Sequence, residues 1–294
     1  MTVLVTGGSG FLGKYILKAL NFQKFNIIKI GRTASSDIYW DFFSKSPELP
    51  FSDLLIHCAG LAHKSTNSRK SRKEFYKVNE LATVNLCEAI CKSGTFPKTF
   101  IFISTVAVYG LDNGELISEN DSLNPKTDYA KSKQNAEVYL QDWGKKYNVK
   151  IMILRLPLVV GDCPPGNLGS MINAIKWGYY FRFSNQIVRR SMVLAEDVAN
   201  FIVTLNGREG IINLTDNVNP SYKDLENYIA KKFNKKIFTA PFFIIKLLSH
   251  FGDLFSILPI NSIQFNKLTS NLTFSTHKAI VLYGWNPRPV IGNF

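Results

Sequence analysis

The chain holds only four cysteines and four histidines in 294 residues, too few and too scattered for a disulfide framework or a tetrahedral metal site. Cys58 ends an apolar run, and Cys163 sits in a Pro/Gly-rich loop. Cys87 and Cys91 lie one helical turn apart, with no second pair to complete a ligand set. All four are expected to be buried small hydrophobes, with no metal bound, in a reducing and therefore cytoplasmic compartment. Acidic residues are also scarce, 22 Asp and Glu against 35 Lys and Arg. Part of the basic excess lies in KSTNSRKSRKEFYK (64–77), which reads as a solvated loop leading into a helix. No nucleic-acid motif accompanies it, so nucleic acid is not an expected partner; a polyanionic substrate or an anionic membrane surface fits the charge better.

An uninterrupted apolar run of membrane-spanning length is missing as well. The most apolar stretch, FTAPFFIIKLLSHFGDLFSILPI (238–260), contains Lys246, His250, Asp253 and two prolines. It is expected to be a buried or interface helical segment; peripheral membrane contact stays open, stable insertion does not. A signal peptide is not expected either, because the first strand of the fold begins at Thr2. No internal repeat and no low-complexity tract occurs. At 46% apolar residues, the chain has enough hydrophobic side chains to bury a real core.

What the sequence does have, at once, is glycine. In MTVLVTGGSGFLGKYILKAL, Gly8, Gly10 and Gly13 spell G-x-G-x-x-G, whereas Gly7, Gly10 and Gly13 spell G-x-x-G-x-x-G. In either reading Val3-Leu4-Val5 suits a buried strand, and Phe11, Ile16, Leu17 and Leu20 recur at helical spacing. A tight glycine turn between strand and helix brings backbone N–H groups and the positive end of the helix to a pyrophosphate. Further along, NIIKI, DLLIHCA, TFIFIST and KIMILRL alternate with the helical patterns FYKVNELATVNLCEAICKS and DYAKSKQNAEVYLQDWGKKY. That rhythm predicts a parallel sheet covered on both faces. It breaks after Arg155, so the expected boundary separates 1–156 from 157–294, with later segments free to pack back on the sheet.

Tyr129 and Lys133 form Y-x-x-x-K, whose spacing places both on one helical face. An adjacent ammonium would lower the phenol and make Tyr129 a usable acid/base. Ser104 and Thr105, in FISTVAVYG, are expected at the C-terminal end of a central strand, where open α/β sheets bind ligands.

Together these residues resemble the extended short-chain dehydrogenase/reductase family of NAD(P)-dependent sugar epimerases, dehydratases and reductases. TGGSGFLG resembles its T-G-x-x-G-x-x-G, which favours the reading that starts at Gly7; YKVNELATVNLCEA, ISTVAVYG, LRLPLVVG and GWNPR resemble further family stretches. The resemblance implies a Rossmann-type, doubly wound parallel α/β sheet with a smaller C-terminal α/β substrate domain. It implies Thr105, Tyr129 and Lys133 as catalytic residues. Cofactor contacts are implied at Gly7, Ser9, Gly10, Phe11, Leu12 and Gly13, at Arg32, Asp41 and Phe42, and at Ala59, Gly60, Asn79, Tyr129, Lys133 and Leu156. The second half looks like a bacterial subgroup that acts on UDP-N-acetylated sugars as 4-reductases or 4-epimerases. That likeness implies a UDP-sugar substrate held by Thr105, Val106, Asn167 and Arg190, and it admits a homodimer.

Three departures from the family pattern, and one dipeptide after Thr105, shape the expected reaction. Leu194 stands where many relatives have His or Tyr, and the chain stops soon after GWNPRPVIGNF, without the family's usual final helix. Gly31 stands where NAD-binding relatives carry an acid, with Arg32 beside it, which favours NADP over NAD. Val106-Ala107 replaces the Asp-Glu of the 4,6-dehydratases, so elimination of water is excluded. A C4-keto reductase is the favoured reading and a 4-epimerase holding NAD the alternative. A non-catalytic NADP-binding regulator is the third, disfavoured by the intact catalytic set.

Overall fold

Strands whose residues are apolar on both faces need cover on both sides, and the chain supplies it. The computed structural model describes residues 1–62, 69–182, 187–239 and 270–294, without the side chains of 69–71. Its centre is a seven-stranded sheet of β1 (Thr2–Thr6), β2 (Asn26–Gly31), β3 (Ile38–Tyr39), β4 (Leu54–His57), β5 (Thr99–Thr105), β7 (Lys150–Leu156) and β11 (Gly210–Asn213), in the order β11-β7-β5-β4-β1-β2-β3. All its pairings are parallel. The order reverses at β1, with β4 on one side and β2 on the other. At such a switch point the loops diverge and leave a crevice beyond the strand ends.

On one face lie α1 (Phe11–Phe22) and α6 (Ala195–Ile202), packed around Val3, Val5, Ile16, Leu154 and Ile202. On the other lie α3 (Ala82–Ser93) and α4 (Asp128–Tyr147), around Leu4, Leu55, Leu86, Phe100 and Leu140. A short α2 (Arg69–Phe75) leads through a π-helical turn, Tyr76–Leu81, into α3. The last sheet strand, β11, and helix α6 both come from beyond residue 157. Closely spaced apolar residues of that half also form a separate cluster, with Leu168 and Ile175 of α5 (Gly166–Trp177) against Leu225 and Ile229 of α7 (Tyr222–Lys232). Among the described residues, three two-stranded pairs lie outside the main sheet: β6 (Gly114–Ile117) with β13 (Leu272–Phe274), β8 (Leu158–Val160) with β10 (Met192–Leu194), and β9 (Phe181–Arg182) with β12 (Phe238–Thr239).

The cysteines correct an expectation. Cys87 is buried, but Cys58 and Cys91 are half-buried and Cys163 is exposed, in a left-handed turn conformation (φ 51°) ahead of α5. Its side chain faces solvent and does not join the core. The basic segment 64–77 is described only from residue 69, where it enters α2; residues 63–68 lie outside the described residues. So does most of the apolar stretch 238–260.

Helix α4 is fixed at both ends and along its length. Thr127 caps it by accepting from Ala130 N (3.2 Å), and Asn148 closes it in a left-handed conformation. In its middle, Glu137 receives Arg155 of β7 through Nη2 to Oε2 (2.7 Å) and Nε to both carboxylate oxygens (3.2 and 3.3 Å). Both side chains are at most 3% exposed. The Ser104 hydroxyl of β5 also donates to Glu137, and Arg155 donates to Tyr109 (3.1 Å), which donates to Asn213 of β11 (2.9 Å).

Removing one member of such a pair strands a buried charge, whereas removing both does not. Glu137→Leu and Arg155→Leu are each expected to cost about 3–5 kcal/mol. The double variant should recover a large part of the summed loss, as read by urea denaturation.

Candidate active site

The glycine turn between β1 and α1 is built around close backbone approaches. Gly7 has φ 71°, and a Cβ there would stand 2.4 Å from Ala59 N. A Cβ on Gly13 would stand 2.1 Å from Gly7 O. Gly8, by contrast, would meet only the Leu17 side chain, at 2.9 Å, which can move. Backbone contacts therefore require Gly7 and Gly13 and do not require Gly8. Gly10 is the N-cap of α1 and has no side-chain capping bond, and the first turn holds no acid. The N–H groups of that turn are thus presented with the helix dipole's positive end, as an anionic diphosphate would need. The residues present fit a dinucleotide.

At the C-terminal end of β5, Thr105 leaves the sheet and caps the short 3₁₀ turn Val106–Tyr109, accepting from Ala107 N (3.2 Å). Its neighbour Ser104 points the other way, to Glu137, as strand alternation requires. Tyr129 lies in the first turn of α4, its ring 5.9 Å from that of Phe75. One turn later the Lys133 ammonium donates to Ile103 O (2.7 Å) and lies 4.4 Å over the Phe102 ring. A Cβ on Gly60 would come within 3.3 Å of that ammonium and 3.2 Å of Asn79 Oδ1, so the glycine leaves room beside both. Asn79 sits in the π-helical turn, where the widened backbone turns its side chain inward. It accepts from Leu61 N (2.7 Å) and donates to Leu61 O (3.0 Å) and Ser132 Oγ (3.0 Å), which ties the β4 loop to α4.

Electrostatics here are set by burial. Lys133 is pushed down to about 8 by desolvation, with Cys58 and Glu137 opposing the shift. The Tyr129 phenol is raised by burial, and the hydrogen bond from the Thr105 hydroxyl pulls it back. The expected lowering of Tyr129 by Lys133 is therefore not realised: the ammonium is tethered to the β5 carbonyl, and desolvation dominates at the phenol. Tyr129 is held in its neutral, proton-donating form.

Beyond Thr105 a cavity of about 310 Å³ is lined by Val106, Lys126, Leu156, Arg190, Tyr222 and Phe274, among others. Arg190 is half-buried there, and desolvation pushes its guanidinium below its ordinary value, a cost that an anion alongside would offset. Arg189, on the alternate face, is exposed. Asn167, in the first turn of α5, is exposed and does not line this cavity. At the other end of the crevice Arg32 is exposed just past β2. Beside it the Thr33 hydroxyl lies 3.1 Å from those of Ser35 and Ser36. Asp41 Oδ1 accepts from Phe43 N, Ser44 N and Ser44 Oγ at 2.8–2.9 Å, which holds the carboxyl at about 2. Phe42 is buried with φ 69°, and its carbonyl accepts from Asn85 (2.6 Å).

The profile of the NAD dependent epimerase/dehydratase family matches residues 3–214, from β1 through β11. The chain belongs to this family. It is 27% identical over 308 residues to the UDP-glucose 4-epimerase of Vibrio cholerae, covering 97% of this chain and 90% of that one. Among solved structures, MoeE5 in complex with UDP-glucose and NAD superimposes with a TM-score of 0.77 at 19% identity, over 98% of this chain and 94% of the other. RMD from Pseudomonas aeruginosa complexed with NADPH gives 0.73 at 21% identity, over 99% and 96%. These likenesses establish a shared fold.

Some residues that support this site escaped the sequence reading. His57 is fully buried between Thr6 Oγ1 (2.6 Å) and Thr83 Oγ1 (3.0 Å), and desolvation pushes it down to about 3, so it is a neutral bridge and not an acid/base. Thr83 in turn donates to Asn79 O (2.8 Å). Glu137 also escaped, although its position four residues after Lys133 extends Y-x-x-x-K by one more turn of the same face.

Lys133 gives a measurable signature. In the folded chain it loses its proton near 8, in the unfolded chain near its ordinary value of about 10.4. Between those values the unfolded state binds more protons, so this group's contribution to stability rises with pH across that window; below it the charged form carries its full desolvation cost, on the order of 3 kcal/mol. Urea denaturation at pH 7.5 and 9.5 should show this rise in the wild type and its loss in Lys133→Met.

Proposed function

We propose that the chain is a nucleotide-sugar oxidoreductase that reduces the C4 keto group of a UDP-linked, N-acetylated 6-deoxyhexose with NADPH. The observation that carries this reading is the meeting of Thr105, Tyr129 and Lys133 at the mouth of a crevice whose opposite end offers Arg32, Thr33, Ser35 and Ser36. Nicotinamide, when bound, supplies hydride chemistry at C4. Tyr129, kept neutral by burial, donates a proton to the C4 oxygen. Thr105 hydrogen-bonds the same oxygen and fixes its distance from the phenol. Lys133, anchored on Ile103 O, would hold the cofactor ribose, and Tyr129 takes back from solvent the proton it gives to the C4 oxygen. Arg190 takes the substrate diphosphate, with Val106 flanking the sugar and Leu156 on the nicotinamide side. The Val106-Ala107 pair offers no acid or base for elimination at C5 and C6.

A second reading, a 4-epimerase that keeps NAD, is favoured by the relative from Vibrio cholerae, itself a UDP-glucose 4-epimerase. Cofactor preference separates the two. Arg32 paired with a 2′-phosphate in a partly exposed site supports a preference for NADPH over NADH of about ten- to a hundredfold. Arg32→Ala should erase most of that preference by weakening NADPH alone. Equal losses for both cofactors, or a wild type that favours NADH and carries NAD through purification, would make the epimerase the better account.

The catalytic assignment is tested separately. Tyr129→Phe should lower turnover by about 10²–10⁴-fold while leaving cofactor affinity nearly unchanged. Cofactor binding by the wild type with no change in nicotinamide absorbance on any keto-sugar would instead identify a regulator on the same fold.

A further inference from the structure

We propose that the C-terminal ends of α5 and α7, together with the β9/β12 pair, form a surface that docks on an anionic lipid bilayer. The inference stands on surface chemistry alone and is independent of the reaction assigned above. After Gly178 (φ 84°) ends α5, the side chains of the next residues alternate. Tyr180 and Arg182 turn inward to Glu226 of α7, by Tyr180 Oη to Oε1 (2.7 Å) and Arg182 Nε to Oε2 (2.5 Å). Tyr179 and Phe181 therefore turn outward. Phe238 pairs opposite Phe181 across the short ladder, with ring centroids 6.4 Å apart. Trp177, Tyr179, Phe181 and Phe238 are 73%, 62%, 55% and 61% exposed.

Single exposed hydrophobic residues are ordinary, but four large aromatics on two adjoining segments make a patch that calls for a partner. The charge beside it says which. Lys176, Lys231, Lys232, Lys235 and Lys236 are all exposed, and neither 171–182 nor 227–239 contains an acid. Glu226 is already neutralised by Arg182. One acid, Asp162, shares a hollow with Lys176 and Lys232. Amphipathic aromatic rings sit well at the headgroup level of a membrane, and lysines beside them gain from its negative surface potential. Protein interfaces favour Arg and are depleted in Lys, which argues against a protein partner. The Phe181 and Phe238 rings pack on each other, which leaves no slot between them for a nucleic-acid base. Tyr222, at the other end of the 11-residue α7, lines the cavity beyond Thr105, so docking would hold that cavity roughly 16 Å from the surface along the helix.

The test uses the full chain in co-sedimentation with vesicles of phosphatidylcholine, with and without phosphatidylglycerol. Binding is expected only to the mixed vesicles and should weaken with salt. Changing Lys231, Lys232, Lys235 and Lys236 to Gln should lower partitioning at low salt by about fivefold per lysine. The same number of changes elsewhere, Lys14, Lys18, Lys24 and Lys145 to Gln, should leave most of it. Trp177→Phe should remove a vesicle-induced blue shift of tryptophan emission, and Trp177→Ala with Phe181→Ala and Phe238→Ala should weaken binding at constant charge. No binding, equal losses from the two lysine sets, or no Trp177 shift would overturn the proposal. So would binding to RNA that depends on these lysines while vesicles are ignored.

Discussion

The ion pair of Glu137 and Arg155 is the constraint around which the crevice is arranged. Taking two full charges out of water costs several kcal/mol each, so the pair persists only because its geometry is nearly complete. Arg155 makes a forked contact with the carboxylate, Ser104 adds a hydroxyl, and Tyr109 carries the network on to Asn213. The consequence is positional. The pair clamps α4 to β5, β7 and β11 one turn below Lys133, and so sets the height of Lys133 and Tyr129 against the end of β5. A helix held only by apolar packing could slide by a fraction of a turn at little cost. A buried salt bridge with directional hydrogen bonds makes that slide expensive.

A second set of polar bonds ties the glycine turn to the same helix. Thr6 at the end of β1 shares a bond with His57 at the end of β4, His57 with Thr83, and Thr83 with the backbone of Asn79. Asn79 then reaches Leu61 and Ser132. The chain of contacts runs from the glycine turn after β1 to the helix that carries Tyr129 and Lys133. His57 serves it because, in a dry core, imidazole stays neutral and offers one donor and one acceptor in fixed directions. The glycine turn and helix α4 of this epimerase/dehydratase family member are thus coupled through buried side chains and not only through the shared sheet.

The sheet, the helix order and the location of the crevice were legible in the amino-acid sequence because they rest on local periodicity. Two-faced apolar runs make buried parallel strands, and the 3.6-residue pattern of α1, α3 and α4 makes their cover. The glycine turn and the Y-x-x-x-K spacing were legible for the same reason, being short-range geometry. The resemblance of TGGSGFLG already favoured Gly7 over Gly8; tertiary structure supplied the physical reason, a contact with Ala59 far along the chain. Tertiary structure alone left Asn167 outside the cavity lining that Arg190 joins, left Cys163 exposed, and raised Tyr129 instead of lowering it. Each of these depends on burial and on partners distant in sequence, and desolvation is a property of what surrounds a group, which no local pattern encodes.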